Sequence, residues 1–196
     1  MGTYIYMVRH AESPKTEGTE RTRGLTDKGK LDAEHMKNML QKESIDVFVS
    51  SPYQRAILTI RGLATDMGKE VFVYEDLKER VFNRQNTSLS DNELYPLLKS
   101  SFSNSNYTLP GAESNKVCQK RAVKVLKYLV KTYKGKNIVI GTHGVVMTLM
   151  MGYYDNQFGL DFLLNTTKPD IYRMEFQGNE LVQVQRLGLL GKNIDL

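Results

Sequence analysis

The sequence predicts an α/β protein built on a mostly parallel sheet. Three observations carry this expectation. Short stretches at Tyr4–Val8, Val47–Val49 and Ile138–Gly141 are apolar or aromatic throughout and lack the polar alternation of a half-exposed sheet. Helical stretches with one apolar side separate them. Each strand stops abruptly at polar residues, where open α/β sheets bind their ligands.

The elements follow in order. The first strand runs into Arg9-His10-Ala11-Glu12-Ser13 and then a polar, turn-prone loop over roughly 14–24, which carries Lys15, Arg21 and Arg23. Thr26 is a candidate N-cap, with Asp27 in the first turn and an apolar side through Ala33, Met36 and Leu40. The second strand ends at Ser50-Ser51-Pro52. Ser51 is the expected N-cap there, with Pro52 at the first helical position and a stripe of Ala56, Ile60, Leu63, Ala64 and Met67 behind it. Arg55 lies off that stripe, in the first turn. A third strand, 71–74, leads to Leu77-Lys78-Glu79-Arg80.

From residue 81 to 109 the chain is polar and rich in Ser and Asn, with a short helix expected around 92–98. This stretch reads as an insertion that partly covers a substrate. An amphipathic helix follows Gly111, with Cys118, Ala122, Val125, Leu126 and Leu129 on one side and a lysine stripe on the other. The strand 138–141 ends at Thr142-His143-Gly144 and leads to an apolar helix over 145–151. Strands at 171–176 and 181–186 are expected to form a hairpin around Gly178-Asn179.

Bulk properties narrow the classes. At 196 residues, 1–196 is expected to be one domain, with the insertion at about 81–109. The formal net charge of +5 suits an anionic ligand without demanding nucleic acid, and the lysine stripe lacks the interleaved aromatics of a nucleic-acid surface. The single cysteine, Cys118, rules out an internal disulfide and fits a reducing compartment. With no signal-peptide pattern and no long apolar run, the expectation is a cytoplasmic protein without a membrane partner, monomeric or homodimeric.

Parallel strands share one carboxyl edge, so His10, Arg55, Glu79 and His143 are expected on one rim. A phosphate monoester is a dianion near neutrality and is bound by guanidinium forks. Arg9 and Arg55 would form two sides of a clamp and His143, if protonated, a third, while an unprotonated nitrogen of His10 attacks phosphorus. For that, the other ring nitrogen must donate a hydrogen bond, with a backbone carbonyl as the expected acceptor. Glu79 would serve as acid and then base. Arg23 and Arg80 are further expected substrate contacts. No metal or cofactor is expected, since no carboxylate cluster stands out to hold one.

These residues fall into a known pattern. Arg9-His10-Ala11-Glu12-Ser13 resembles the Arg-His-Gly-Glu-Ser signature of the histidine phosphatase superfamily, phosphoglycerate mutase-like branch. Gly24 to Gly29 resembles its Leu-Thr-x-x-Gly segment, and Ser50 to Ala56 its Ser-Ser-Pro-x-x-Arg-Ala motif. The stretches at 77–80, 110–114 and 141–144 resemble its acid segment, its Pro-Gly-Gly-Glu-Ser stretch and its second histidine motif. The resemblance implies a three-layer αβα fold with one antiparallel sheet strand. It also implies His10 as the phosphorylated residue, Arg9, Arg55 and His143 as phosphate ligands, and Glu79 as acid/base.

Departures from the pattern bear on function. Ala11 stands where the family has glycine, Thr16 where it often has a phosphate-binding asparagine, and Lys15 where a tryptophan is common. The paired arginines that mutases use have no counterpart. The leading expectation is therefore a metal-independent phosphatase that acts on a small phosphorylated metabolite through phosphohistidine. A phosphoglycerate mutase and a non-catalytic phosphate-binding or interaction domain are the alternatives.

Overall fold

The computed structural model of the chain describes residues 2–85, 87–188 and, for the backbone, 193–195. The domain ends expected at 1 and 196, residue 86 of the insertion and residues 189–192 lie outside these described residues.

Strands β1 (Thr3–Arg9), β2 (Val47–Ser50), β3 (Val71–Val73) and β4 (Asn137–Thr142) form the parallel part of one sheet. The sheet continues with β5 (Asp170–Gln177), β6 (Glu180–Leu187) and β7 (Asn193–Asp195), in the order β3-β2-β4-β1-β5-β6-β7. β5 runs antiparallel to β1, and the expected hairpin with β6 extends that edge, turning at Gly178 with φ of 62°.

Alternation along the strands divides the core. Ile5 and Met7 of β1 and Ile138 and Ile140 of β4 face one side. There they pack with α4 (Asn115–Thr132) and α5 (Gly144–Gly152). Tyr6, Val8 and Val139 face the other side, with α1 (Asp27–Leu40) and α2 (Gln54–Asp66). The result is three layers, helix–sheet–helix, in which the central strands are buried on both faces. That double burial is why their sequences do not alternate.

Local chemistry sets the element ends. Thr26 caps α1 by accepting from the Gly29 N–H (3.0 Å). A side chain at Gly29 would put its Cβ 2.2 Å from the Glu12 carbonyl, so glycine lets α1 press against the loop after His10. The start of α2 corrects the sequence reading. Tyr53, not Ser51, occupies the N-cap position, and Pro52 lies in the turn before it. The Ser51 hydroxyl is instead bonded to His143 and accepts from the Tyr53 N–H, so it cannot also cap the helix.

The helix in the insertion is longer than expected. α3 spans Asp91–Ser103 and starts at Ser90 in a reciprocal capping box with Glu93. A short helix, α6 (Leu160–Leu164), packs near it. His35 is exposed on α1, while Met147, Met150 and Met151 are buried core on α5. No helix among the described residues is long and apolar enough to cross a membrane.

Candidate active site

β1 and β4 are neighbours in parallel register, with Arg9 opposite Thr142. One more rung, His10 N–H to the Thr142 carbonyl (2.9 Å), continues the ladder past the strand end. His10 and His143 therefore emerge side by side, and their rings meet edge to face with centroids 5.2 Å apart. β2 lies on the other side of β4 and delivers Ser51 and then Arg55 to the same edge.

His10 is buried, and its ring is fixed at both nitrogens. Nδ1 lies 2.6 Å from the Ala11 carbonyl, which can only accept, so Nδ1 carries the proton. Nε2 then accepts from Arg55 Nε at 3.2 Å. Burial, together with the Arg55 and Arg9 cations, pushes the His10 pKa well below 6.5 despite the bond to Ala11. The ring is thus held neutral, with a lone pair on Nε2. The loop itself is anchored by Ala11 N–H, which donates to Thr59 of α2 (3.0 Å).

His143 is fully buried and also held below 6.5, by burial first and then by Arg55 and His10. A ring among cations, away from water, stays neutral, so the condition under which His143 would act as a cationic ligand is not met in this state. Its Nε2 is 2.7 Å from Ser51 Oγ. Because Ser51 accepts from Tyr53, its own proton can go to His143 Nε2, an assignment that leaves the imidazole proton on Nδ1. Nδ1 is buried and has no hydrogen-bond partner among the described residues.

The two arginines are held differently. Arg9 Nη1 donates to the Thr166 carbonyl (3.0 Å) and to the Thr166 hydroxyl, while its Nε is buried and has no hydrogen-bond partner among the described residues. The Thr166 turn is set by buried Asp170, which accepts from the Thr167 N–H (2.9 Å) and pairs with Arg186 (2.7 Å). Gly144 keeps Arg9 in place, since a Cβ there would stand 3.1 Å from the Arg9 Cζ and Nη2. Arg55, 1% exposed, stacks over Tyr53 at 4.9 Å and gives Nη1 to the Glu20 carbonyl (2.5 Å) and Nη2 to the Glu20 carboxylate (2.9 Å).

Glu20 is a site residue that the sequence reading missed. Its carboxylate bridges Arg55 and Arg23, accepting from Arg23 Nε at 3.1 Å and Nη2 at 3.2 Å. Burial opposes its charge, but the Arg55 and Arg23 guanidinium groups and the Ser88 hydroxyl outweigh that and hold its pKa below the usual carboxylate range.

Glu79 faces the arginines across the site. Its carboxylate accepts from the N–H groups of Arg80 (2.8 Å), Val145 (3.2 Å) and Val146 (3.0 Å), and so sits on the N-terminus of α5. A second unforeseen residue holds its segment. Arg121 of α4 donates to the carbonyls of Asp76, Lys78 and Glu79 and pairs with Glu113 at 2.7 Å. Glu113 precedes α4 and anchors this network.

Arg9, His10, Glu20, Arg23, Arg55 and Glu79 border one cavity of about 780 Å³; His143 is not in its lining and rests edge to face against His10. The insertion supplies an apolar wall of Phe82, Leu89, Leu94 and Leu98. Lys15, tied to Asp91 at 2.8 Å, and Lys168 stand at the cationic side. Lys168 was also not foreseen; desolvation and the nearby Arg9, Lys15 and Arg23 lower its pKa.

The structure places two other expected substrate contacts differently. Thr16 is exposed on the loop and does not line the cavity. Arg80 does line it, but Nε and Nη1 are engaged by the Glu113 carbonyl and the Ser101 hydroxyl, both at 2.8 Å, so it braces the Glu79 segment against α3. Among the described residues, no group of three or more His, Cys, Asp or Glu side chains could hold a metal ion.

No curated protein matches the chain. Solved structures do resemble it. A mycobacterial glucosyl-3-phosphoglycerate phosphatase is 15% identical with a TM-score of 0.75, covering 95% of this chain and 97% of its own. Bacillus stearothermophilus YhfR is 21% identical with a TM-score of 0.77, covering 92% and 94%. A phosphoserine phosphatase from Entamoeba histolytica, in a mutant form bound to phosphoserine, is 22% identical with a TM-score of 0.76 and the same coverage. These likenesses show the fold. A family model matches residues 5–187, nearly the whole chain, and the chain thus belongs to the histidine phosphatase superfamily, branch 1.

Proposed function

We propose that this protein is a metal-independent phosphatase that hydrolyses a small phosphate monoester through a phosphohistidine on His10. One observation carries the reading: Nδ1 of His10 is committed to a carbonyl, so an unprotonated Nε2 is held among guanidinium groups beside the cavity. A neutral, oriented imidazole is a nucleophile, and fixed cations around it stabilise charge on the equatorial oxygens of a transferring phosphoryl group.

In the first step the Nε2 lone pair forms the N–P bond as the ester P–O bond breaks. Glu79, in its protonated form, gives its proton to the leaving alkoxide. Arg9, Arg55 and the Nδ1–H of His143 hold the three non-bridging oxygens. In the second step Glu79 takes a proton from water, the hydroxide oxygen bonds to phosphorus, and the N–P bond breaks. The products are an alcohol and inorganic phosphate, and His10 is again neutral. The cavity is far larger than a phosphate and falls in the size range of small-molecule sites, so room remains for an organic leaving group against Phe82 and Leu94. Two fold neighbours are phosphatases by name, which agrees with this reading. The compartment that fits the one buried, unpaired cysteine is the cytoplasm.

Incubation with a ³²P-labelled ester and an acid-free quench tests the proposal. Label is expected on His10, with release to water. Hydrolysis that persists in His10→Ala, with no trapped label, overturns it. Transfer between two positions of one substrate would instead identify a mutase, and phosphate binding without turnover on any ester a non-catalytic domain.

A further inference from the structure

Arg55 offers its side-on fork, the Nε and Nη2 edge, to two acceptors at once. Nε is on His10 Nε2 at 3.2 Å, and Nη2 is on the Glu20 carboxylate at 2.9 Å. That edge is the one by which arginine takes a phosphate with two parallel bonds. The Glu20 side chain is only 12% exposed, and the same carboxylate occupies the Nε and Nη2 edge of Arg23. In this state a carboxylate of the chain itself holds donors that a phosphoryl group beside His10 would use. The Nη1 bond from Arg55 to the Glu20 carbonyl lies on the opposite edge and can persist when the carboxylate leaves.

We infer that Glu20 sets the affinity of the site: it is a resident anion that the incoming phosphoryl group must replace on Arg55 and Arg23, which keeps phosphate from being held tightly as substrate or product. The inference rests on the phosphatase reading above. A phosphomonoester dianion brings one charge more to the guanidinium groups than the carboxylate it replaces, so the exchange still gains attraction while costing the loss of the Glu20 contacts. The carboxylate is also ready to return as inorganic phosphate departs, which keeps the cations paired at product release. The Ser88 hydroxyl, which reaches Glu20 from the insertion, ties this exchange to the wall of the cavity.

The test is calorimetry on the full chain at pH 8, with inorganic phosphate as the dianion and dimethyl phosphate as the monoanion. A binding-competent state populated at about a tenth weakens apparent affinity by about tenfold. Glu20→Gln, which keeps an acceptor without the charge, is expected to bind phosphate about that much more tightly. The preference for phosphate over dimethyl phosphate is expected to persist, because displacing the carboxylate weakens both anions alike. Equal or weaker phosphate binding in Glu20→Gln, with wild type binding normally, overturns the inference alone and makes Glu20 a support for Arg55. No phosphate binding by either protein overturns it together with the phosphatase reading. If the amide variant fails to fold, Glu20→Ala is titrated with and without acetate. Acetate is expected to weaken phosphate binding there and not in wild type, and the absence of that difference overturns the inference equally.

Discussion

The guanidinium Nε of Arg55 donates to Nε2 of His10 across 3.2 Å, so the nitrogen read as the nucleophile is hydrogen-bonded by the cation read as its phosphate ligand. This bond can form only while the imidazole is neutral and protonated on Nδ1. It orients the ring, and a phosphoryl group must replace it before attack.

Arg55→Lys keeps the charge but loses the fork and the Nε–H. An ammonium cannot hold His10, Glu20 and a phosphate oxygen in one plane. The expected outcome is a fall in kcat of about 10²–10³-fold, the cost of losing one preorganised donor at a developing charge. Steady-state kinetics on any accepted ester checks it. A variant within threefold of wild type would move the phosphate ligand elsewhere.

Glu79→Gln removes the proton carrier while keeping an acceptor for the α5 N-terminus. The expected loss in kcat is about 10²–10⁴-fold, with KM little changed. The loss should be largest for alkyl esters and smallest for nitrophenyl phosphate, whose leaving group departs without a proton. A uniform loss across leaving groups would make Glu79 structural only.

Stability should fall on mild acidification. His10 and His143 are both held well below 6.5 in the folded protein, chiefly by burial. The unfolded chain takes up these two protons first. Their contribution is therefore complete above pH 6.5 and is lost as pH falls from there toward the folded values. Each pH unit in that window costs about 1.4 kcal/mol per histidine. Denaturant unfolding at pH 7.5 and 5.5 measures this. His143→Gln should flatten the dependence, and an unchanged slope would refute the assignment.

Arg121→Ala breaks a nearly buried pair with Glu113, both side chains 12% exposed, and strips donors from three carbonyls around Glu79. Leaving one partner of a buried pair alone costs about 3–5 kcal/mol. The variant should unfold earlier in denaturant and, under conditions where it is folded, lose kcat more than it raises KM, because Glu79 loses its support. Arg121→Lys should recover only part of the loss.

Gly144→Ala would place a methyl 3.1 Å from the Arg9 guanidinium and 3.0 Å from Leu163. Both neighbours are side-chain ends that can shift, so folding should survive. Arg9 is expected to move off Thr166 and KM to rise several-fold, as kinetics beside a thermal melt would show.

Much of the fold is legible in the sequence because burial on both faces leaves a mark. Ile5, Met7, Ile138 and Ile140 could not be apolar beside Tyr6, Val8 and Val139 in a sheet with a wet face. Thr26 and Asp27 announce α1 by cap chemistry alone. Ser51-Pro52 misled for a physical reason: the serine that looks like a cap is spent on His143, a partner from a distant strand that no local pattern reveals.

The site divides in the same way. His10, Arg55, Glu79 and His143 could be placed together because each follows a strand end. Glu20 and Lys168 could not, since each lies in a loop whose path depends on contacts far along the chain. Arg121 left one faint signal: an arginine bordering a lysine stripe, three residues after a core cysteine. Thr16 is exposed on a loop that turns at Gly18, with φ of 71°, and no local pattern in the sequence shows which way such a loop presents its side chains.

The rung between the His10 N–H and the Thr142 carbonyl has a consequence for biosynthesis. It joins β1 to a strand synthesised much later, by parallel pairing that must close a long loop before any contact rewards it. A nascent chain that stops short of β4 holds one imidazole without its neighbour. Amino-terminal fragments should therefore be chemically silent, and activity should switch on only when the fourth strand has left the ribosome and zipped in.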